Sequence, residues 1–471
     1  MNTSSCLILM LPLAMLSACG SSGGDSDPLP ADDSPATTSE PTSIPTSTAG
    51  SAESETAQAT TAPLDPAAED CSVQSQNRWV DGNMHDYYLF YDQVPTLNLD
   101  EFNSPEELIK ALRVNPPDRF SNVQNAESQG SFFNDGLAFG FGFRIQKDDT
   151  GQWRFNHIRV NSPMADADIK RGDIFVAANG VSANELSEEQ YVEFFGRPPN
   201  PMTVTLTITD NAGDTRDEVV TSAEYPVSAV SVAGIFSKNG IKYGYLRFET
   251  FIETAREELD FYIDRMAQDG VSELVLDLRY NGGGRTAIAQ KLASQIAGPT
   301  VFGQTFEILS FNDKYTANNQ TGVFPEEEYS LGVMRMVAIT GPGTASSSEL
   351  VINGLRPYID VTVIGSGTTA AKPFQTSGRD FCGKRMNALE VISSNADGAT
   401  VINGIEPDCL VADDITHEFG DFKEGMLNAA LNYLYKGVCA TPPAAVAQRQ
   451  HSRDKLRSLG DIDNRPMAII D

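Results

Sequence analysis

Residues 342–350 read PGTASSSEL, three hydroxyls in a row behind a Gly–Thr–Ala turn and ahead of Glu349. The apolar stretch VMRMVAITGPGT before them predicts a strand, and SSELVINGLRPY predicts a helix directly behind. A serine at such a junction stands at the mouth of an α/β sheet, beside helix-terminal N–H groups of positive potential. That place suits a nucleophile whose tetrahedral intermediate needs an oxyanion hole. Serine is also a routine helix cap, and Ser346 or Ser347 read alone fits that role more readily.

A second cluster bears on the choice. LDLRYNGGGR (276–285) sets three glycines after a buried strand, where backbone amides can approach a substrate oxygen closely. A plain turn packing helix on sheet would use glycines there as well. A nucleophilic serine also needs a base. The four histidines, His85, His157, His417 and His451, have no motif around them, and His417 is expected at the start of the last helix. A Ser-His-Asp triad therefore has little support. No HExxH, phosphate loop or dinucleotide fingerprint occurs, so no metal and no cofactor are implied.

These residues need a frame to hold them. From residue 226, KYGYLRFETF reads as a strand, AREELDFYIDRMAQDG as an amphipathic helix ended by Gly270, and SELVLDLRYNGGGR as a strand. AIAQKLASQIAG is helical and VTVIGSG is another strand. The alternation predicts an α/β core over 226–439, a mostly parallel sheet with crossover helices. Residues 129–225 differ: GLAFGFGFRI alternates glycine and aromatic residues, SPMADADIKRGDIFVAANGV follows, and MTVTLTITD alternates like a strand. This stretch resembles a PDZ domain. The resemblance implies a carboxylate-binding loop at Phe139, Gly140, Phe141, Gly142 and Phe143, where successive N–H groups face a terminal carboxylate and a strand edge pairs with the peptide. A PDZ-like domain serving only as a gate is the alternative. Residues 71–128, with an aromatic stripe from Trp79 to Tyr91 and SPEELIKALR opening on a Ser cap and a Pro, predict a small N-terminal helical domain.

The chain has 471 residues and a net charge of −30, with ten acidic and no basic residues among the first seventy. Nucleic acid is disfavoured as a partner, since phosphate binding needs clustered Lys and Arg. Residues 7–16 are apolar but short for a membrane span, and Leu16-Ser17-Ala18-Cys19-Gly20 follows. Small residues before a Cys read as lipoprotein processing, so 1–19 is expected to be a signal peptide, with Cys19 lipidated and the chain exported to the periplasm or cell surface. An ordinary secretory cleavage nearby is the alternative. Residues 20–70, rich in Ser, Thr, Pro and acid, are expected to be a disordered tether, and 440–471 a loose tail. Export puts Cys71, Cys382, Cys409 and Cys439 in an oxidising compartment, where three pairings are open.

VLDLRYNGGG, ITGPGTASSSELVING and VIGSGTTAAKPFQ, in that order after a PDZ-like stretch, resemble the C-terminal-processing (tail-specific) serine peptidases. GIEPDCLVADDITHEFGDFKEGMLNAALNYL resembles the end of their catalytic domain, and the likeness covers roughly 75–440. It implies a Ser-Lys dyad: Ser346 as nucleophile with Glu349 as anchor, Lys372 as general base, Gln375 orienting it, and the amides of Ser347 and Gly283 as oxyanion donors. The lysine must be neutral to act, and its neighbours Ala370, Ala371, Pro373 and Phe374 are apolar, which favours that form. One departure stands out. GSGTTAAKPFQ carries an extra residue before Lys372 and one fewer before Gln375, and Ala371 replaces the usual Gly. The activity implied is endoproteolysis of exported or unfolded polypeptide. A catalytically degenerate peptide-binding scaffold is the alternative motivated by that turn.

Overall fold

The computed structural model describes residues 70–196 and 201–439, together with the backbone of Ala468–Ile469. The expected signal peptide with Cys19, the expected tether up to residue 69 and the rest of the expected C-terminal tail lie outside the described residues. Among the described residues no helix is long and apolar enough to cross a membrane.

The first helix, Val73–Asp86, opens on Ser72, whose hydroxyl accepts from the Ser75 amide. A second, Pro105–Leu112, has Ser104 as cap and Pro at its start, where a missing N–H costs nothing. Val80, Met84 and Tyr88 meet Leu108, Ile109 and Leu112 in a core shared with Phe374, Met386 and Leu389. The N-terminal segment therefore packs against the chain that follows Lys372. Asn122–Asn125 extends this union by pairing antiparallel with Lys384–Asn387. Of the three possible cysteine pairings the structure forms Cys71–Cys382 and Cys409–Cys439; the first joins the two segments covalently.

The PDZ-like region is an antiparallel sheet in the order Phe143–Lys147, Trp153–Ile158, Ile174–Ala178, Thr203–Thr209, Thr215–Thr221. Its helix Glu188–Phe195 begins with a capping box between Ser187 and Gln190. Phe195 of that helix stacks edge-on against Phe141 and Phe143.

The main sheet of the α/β core runs Val230–Lys238, Ile241–Phe248, Glu273–Asp277, Arg335–Thr340, Asp360–Gly365, Cys409–Leu410. Its first pair is antiparallel and the other four are parallel. Alternate residues of its strands face two cores: Leu274, Leu276 and Ala338 pack with helices Ala255–Gln268, Thr286–Ala297 and Ser347–Leu355, while Val275, Val337 and Ile364 pack with Gly425–Lys436. A second core sheet, Gln320–Val323, Thr305–Phe311, Val391–Ser394 and Phe374–Thr376, is antiparallel among these strands. The expectation of one mostly parallel sheet over 226–439 therefore needs correcting: this region holds a mostly parallel sheet and an antiparallel one, and the sheets among the described residues are largely antiparallel. Three of the four strands of the second core sheet have only three or four residues, and a strand–helix alternation in sequence does not reveal them.

Candidate active site

Two neighbouring parallel strands, Glu273–Asp277 and Arg335–Thr340, aim the glycine cluster and the serine run at the same place. Crevices at the carboxyl ends of parallel strands are where open α/β sheets bind ligands. Asn281, fully buried, brackets the two turns: its side-chain amide donates to Phe248 O at 2.9 Å, and its carbonyl accepts from the Ala345 amide at 3.1 Å and the Ser348 hydroxyl at 3.0 Å. Ser347 Oγ donates to Gly284 O at 2.8 Å. The hydroxyls of Ser347 and Ser348 thus pin the glycine turn to the serine turn.

Ser346 differs from its neighbours in backbone as well as partners. Its φ of 57° and ψ of −118° lie where an L-residue carries strain, a cost of about 1–3 kcal/mol that surrounding contacts must hold in place. Gly283 explains part of the arrangement. A Cβ there would meet Ser346 Cβ at 2.7 Å and the Ser347 amide nitrogen at 3.0 Å, and its φ of 101° also favours glycine. The Gly283 amide donates to Asn281 Oδ1 at 2.9 Å. The Ser347 amide, at the first turn of its helix, has no intrahelical acceptor.

Glu349 joins this turn to the lysine turn. It is completely buried, and its Oε2 accepts the amides of Ser346 and Lys372, both at 2.9 Å. Its Oε1 accepts the Ala371 amide at 3.0 Å and the Thr369 hydroxyl. Burial pushes the Glu349 carboxyl above the usual range, and the bonds from Thr369, Lys372, Ser346 and Ala371 pull against that shift. Ala371 has a φ of 60°, the conformation glycine adopts most cheaply, so the departed turn keeps a glycine-like backbone with an alanine in it.

Ser346 and Lys372, 4% and 2% exposed, line one pocket together with Ser347, Leu350, Phe374 and Gln375. Gln375 Nε2 donates to Glu307 Oε2 at 2.6 Å, and Ser393 Oγ donates to the same oxygen at 2.9 Å. The carboxylate fixes the amide's orientation, so Gln375 Oε1 is buried with no hydrogen-bond partner among the described residues. Glu307 has its carboxyl raised by burial.

Behind the glycine cluster lies a buried ionic network that the sequence did not disclose. Arg279 bridges Asp277, Glu424 at 2.8 Å and Asp413 at 3.0 Å. Burial would raise the Asp413 carboxyl, but Arg171 and Arg279 hold it at about 2. Arg171 comes from the PDZ-like region and also donates to Tyr280 Oη at 3.2 Å. His157, in the same region, bonds Glu249 at 3.0 Å and stacks on Tyr280. His417 sits in a loop against Asp414, not at the start of the last helix, whose cap is Glu424. In the PDZ-like region Phe141 is buried and Phe139 exposed; Gly140 and Gly142 both have positive φ, and a Cβ on Gly142 would meet Ser162 Cβ at 2.2 Å. Among the described residues the strand Phe143–Lys147 pairs on one side only, with Trp153–Ile158.

Residues 242–411 match the profile of peptidase family S41, residues 75–122 that of the peptidase S41 N-terminal domain, and residues 133–209 that of the PDZ domain. Residues 242–411 thus carry a peptidase family S41 domain. Among curated relatives, the carboxyl-terminal-processing protease of Synechocystis is 24% identical over 287 residues, covering 59% of this chain and 63% of that protein. The probable CtpA-like serine protease of Staphylococcus haemolyticus is 26% identical over 313 residues, covering 65% of this chain and 58% of that protein. The chain thus matches about three fifths of the length of these relatives. The putative S41 protease of Bacteroides fragilis shares the fold, with a TM-score of 0.60 at 24% identity over 76% of this chain and 97% of that one.

Proposed function

We propose that this S41 chain is a serine endopeptidase in which Ser346 attacks the scissile carbonyl and Lys372 takes its proton. The observation that carries the reading is the Glu349 carboxylate, which holds the amides of Ser346 and Lys372 on one oxygen and so fixes nucleophile and base against each other. A dyad lysine must start neutral, and removing an amine from water favours its neutral form. As Ser346 Oγ bonds to the carbonyl carbon, its proton passes to Lys372 Nζ. The oxyanion is met by the Ser347 amide, with the Gly283 amide joining by sharing its bond to Asn281. Lys372 then protonates the leaving amine, and the acyl-enzyme forms. A water gives its proton to Lys372 and attacks the ester; the bond from the carbonyl carbon to Ser346 Oγ breaks, Lys372 returns the proton to that oxygen, and the carboxyl product leaves. Gln375, held by Glu307, orients the amine.

The loop Phe139–Phe143 and the one-sided strand Phe143–Lys147 suit an extended peptide ending in a carboxylate. The Synechocystis relative is a carboxyl-terminal-processing protease, which supports C-terminal segments of polypeptides as the substrate class. Two disulfides suit an oxidising compartment. With the leader ending at Cys19, they support an exported lipoprotein anchored to a membrane.

The test is labelling by a fluorophosphonate, read as intact mass. Wild type should gain one label, and Ser346→Ala and Lys372→Ala none. A labelled Ser346→Ala protein would refute the assignment. Peptide binding by wild type with neither label nor turnover would favour a degenerate scaffold.

A further inference from the structure

We propose that the N-terminal domain completes the active site, with Arg119 and Phe120 as positioning residues for Lys372. The inference rests on the reading of Lys372 as the base. Its structural support is a corner of chain, residues 118–121, that many bonds hold in one shape. Asp118, fully buried, accepts the amides of Phe120 at 2.8 Å and Ser121 at 2.9 Å, and the Tyr88 hydroxyl at 2.8 Å. Arg113 Nη1 donates to the carbonyls of Arg119 at 2.9 Å and Ser121 at 3.3 Å. Ser121 Oγ accepts the Leu389 amide at 3.1 Å, which ties the corner to the catalytic core.

Two side chains reach from this corner to the base. Arg119 Nη2 donates to Ala370 O at 2.7 Å. That carbonyl belongs to the peptide entering Ala371, whose left-handed backbone is disfavoured for an L-residue and must be held by its surroundings. Glu349 holds the turn by its amides, Thr344 O accepts the Ala370 amide at 2.9 Å, and Arg119 holds it by a carbonyl. Phe120, 8% exposed, presents its ring to Lys372 Nζ at 5.1 Å from the centroid. The Arg119 guanidinium lies 5.1 Å from the same ring. Charged side chains on the elements around Lys372 include Asp118 and Arg119 on this corner, Glu349 on the serine helix and Glu307 behind Gln375. Within 5.1 Å of both cationic groups, the ring covers the Lys372 amine, and the loss of hydration this imposes on the ammonium outweighs the attraction of the ring's π face. Where the usual Gly is replaced by Ala371, the N-terminal domain supplies the contacts that keep the lysine in place.

The test uses the full chain with fluorescein-labelled casein, measured across the pH range in which the base titrates, alongside thermal unfolding. Arg119→Ala should lower kcat at least about tenfold, since a displacement well under 1 Å suffices. KM should stay within about twofold, because the residue acts on the turn and not on substrate. Arg119→Lys, which can still donate to Ala370 O, should recover most of the rate. Phe120→Ala should move the acidic limb of kcat/KM to higher pH by at least about half a unit, because water then stabilises the ammonium. Phe120→Leu, which keeps the apolar cover, should not move it upward. Wild-type kcat in Arg119→Ala with an unmoved limb in Phe120→Ala would overturn the proposal. Rates that fall only in proportion to folded protein, with the limb unmoved, would overturn it too. The underlying dyad is tested separately by Ser346→Ala: if that variant cleaves casein, the dyad reading has failed whatever the Arg119 variants do.

Discussion

Replacing Glu349 with Gln removes a charge and changes almost no volume, so it isolates the carboxylate's role. One oxygen becomes an NH2 group facing two donors. If the amide nitrogen takes the Oε2 place, it confronts the Ser346 and Lys372 amides; in the Oε1 place it confronts the Ala371 amide and the Thr369 hydroxyl. The second arrangement costs less, because the hydroxyl can turn and accept. One partly buried amide, that of Ala371, is then left unpaired. A bond to a charged acceptor contributes about 1.5–3 kcal/mol, so a loss of about 2–3 kcal/mol of stability follows. That corresponds to a fall in Tm of about 4–10 °C. The effect on rate should be much larger. Ala371 holds its strained φ next to Lys372, and a shift of about 1 Å in a reacting group costs about a hundredfold. Casein cleavage by Glu349→Gln should therefore drop about a hundredfold in kcat while the protein stays folded at 25 °C. A variant with kcat within about threefold of wild type and an unchanged Tm would refute the claim that this carboxylate sets the two turns.

Three further outcomes follow from the same geometry. Gly283→Ala places a methyl 2.7 Å from Ser346 Cβ on a backbone of φ 101°, so it should cost about 2–4 kcal/mol in denaturant unfolding and abolish most cleavage. His157 is held at about 4 by burial, against the pull of Glu249, so the unfolded chain binds a proton that the folded chain refuses between about 6.5 and 4. Stability contributed by this group is present above pH ~6.5 and lost as pH falls towards 4, by up to about 3 kcal/mol; urea midpoints should decline over that window and decline less in His157→Asn. Cys71→Ser with Cys382→Ser opens a long covalent loop and should lower stability by about 2–5 kcal/mol, measured as the urea midpoint under non-reducing conditions.

Much of the site could be read before any coordinates. The strand–turn–helix around Ser346 shows in a local change of period, and the Glu349 anchor lies only three residues beyond it. Other parts depend on contacts far apart in sequence. Arg119 and Ala370 are separated by 251 positions, and nothing around either residue announces the bond. Glu307 sits on an unremarkable strand, and its role appears only when Gln375 and Ser393 meet it. Arg279 reads as one basic residue beside glycines, yet it bridges three carboxylates. The antiparallel second sheet escaped because strands as short as Phe374–Thr376 carry too few residues to show a period. The unusual AAKPF turn was legible as a departure, but its resolution was not: backbone dihedrals and a distant guanidinium decide it.

Cleavage of fluorescein-labelled casein by Lys372→Ala, at equal concentrations of folded protein, bears most directly on the dyad. With the base gone, the Ser346 hydroxyl keeps its proton and turnover should fall to background, while thermal unfolding stays close to wild type. A Lys372→Ala protein that digests casein at a rate comparable to wild type would contradict the account.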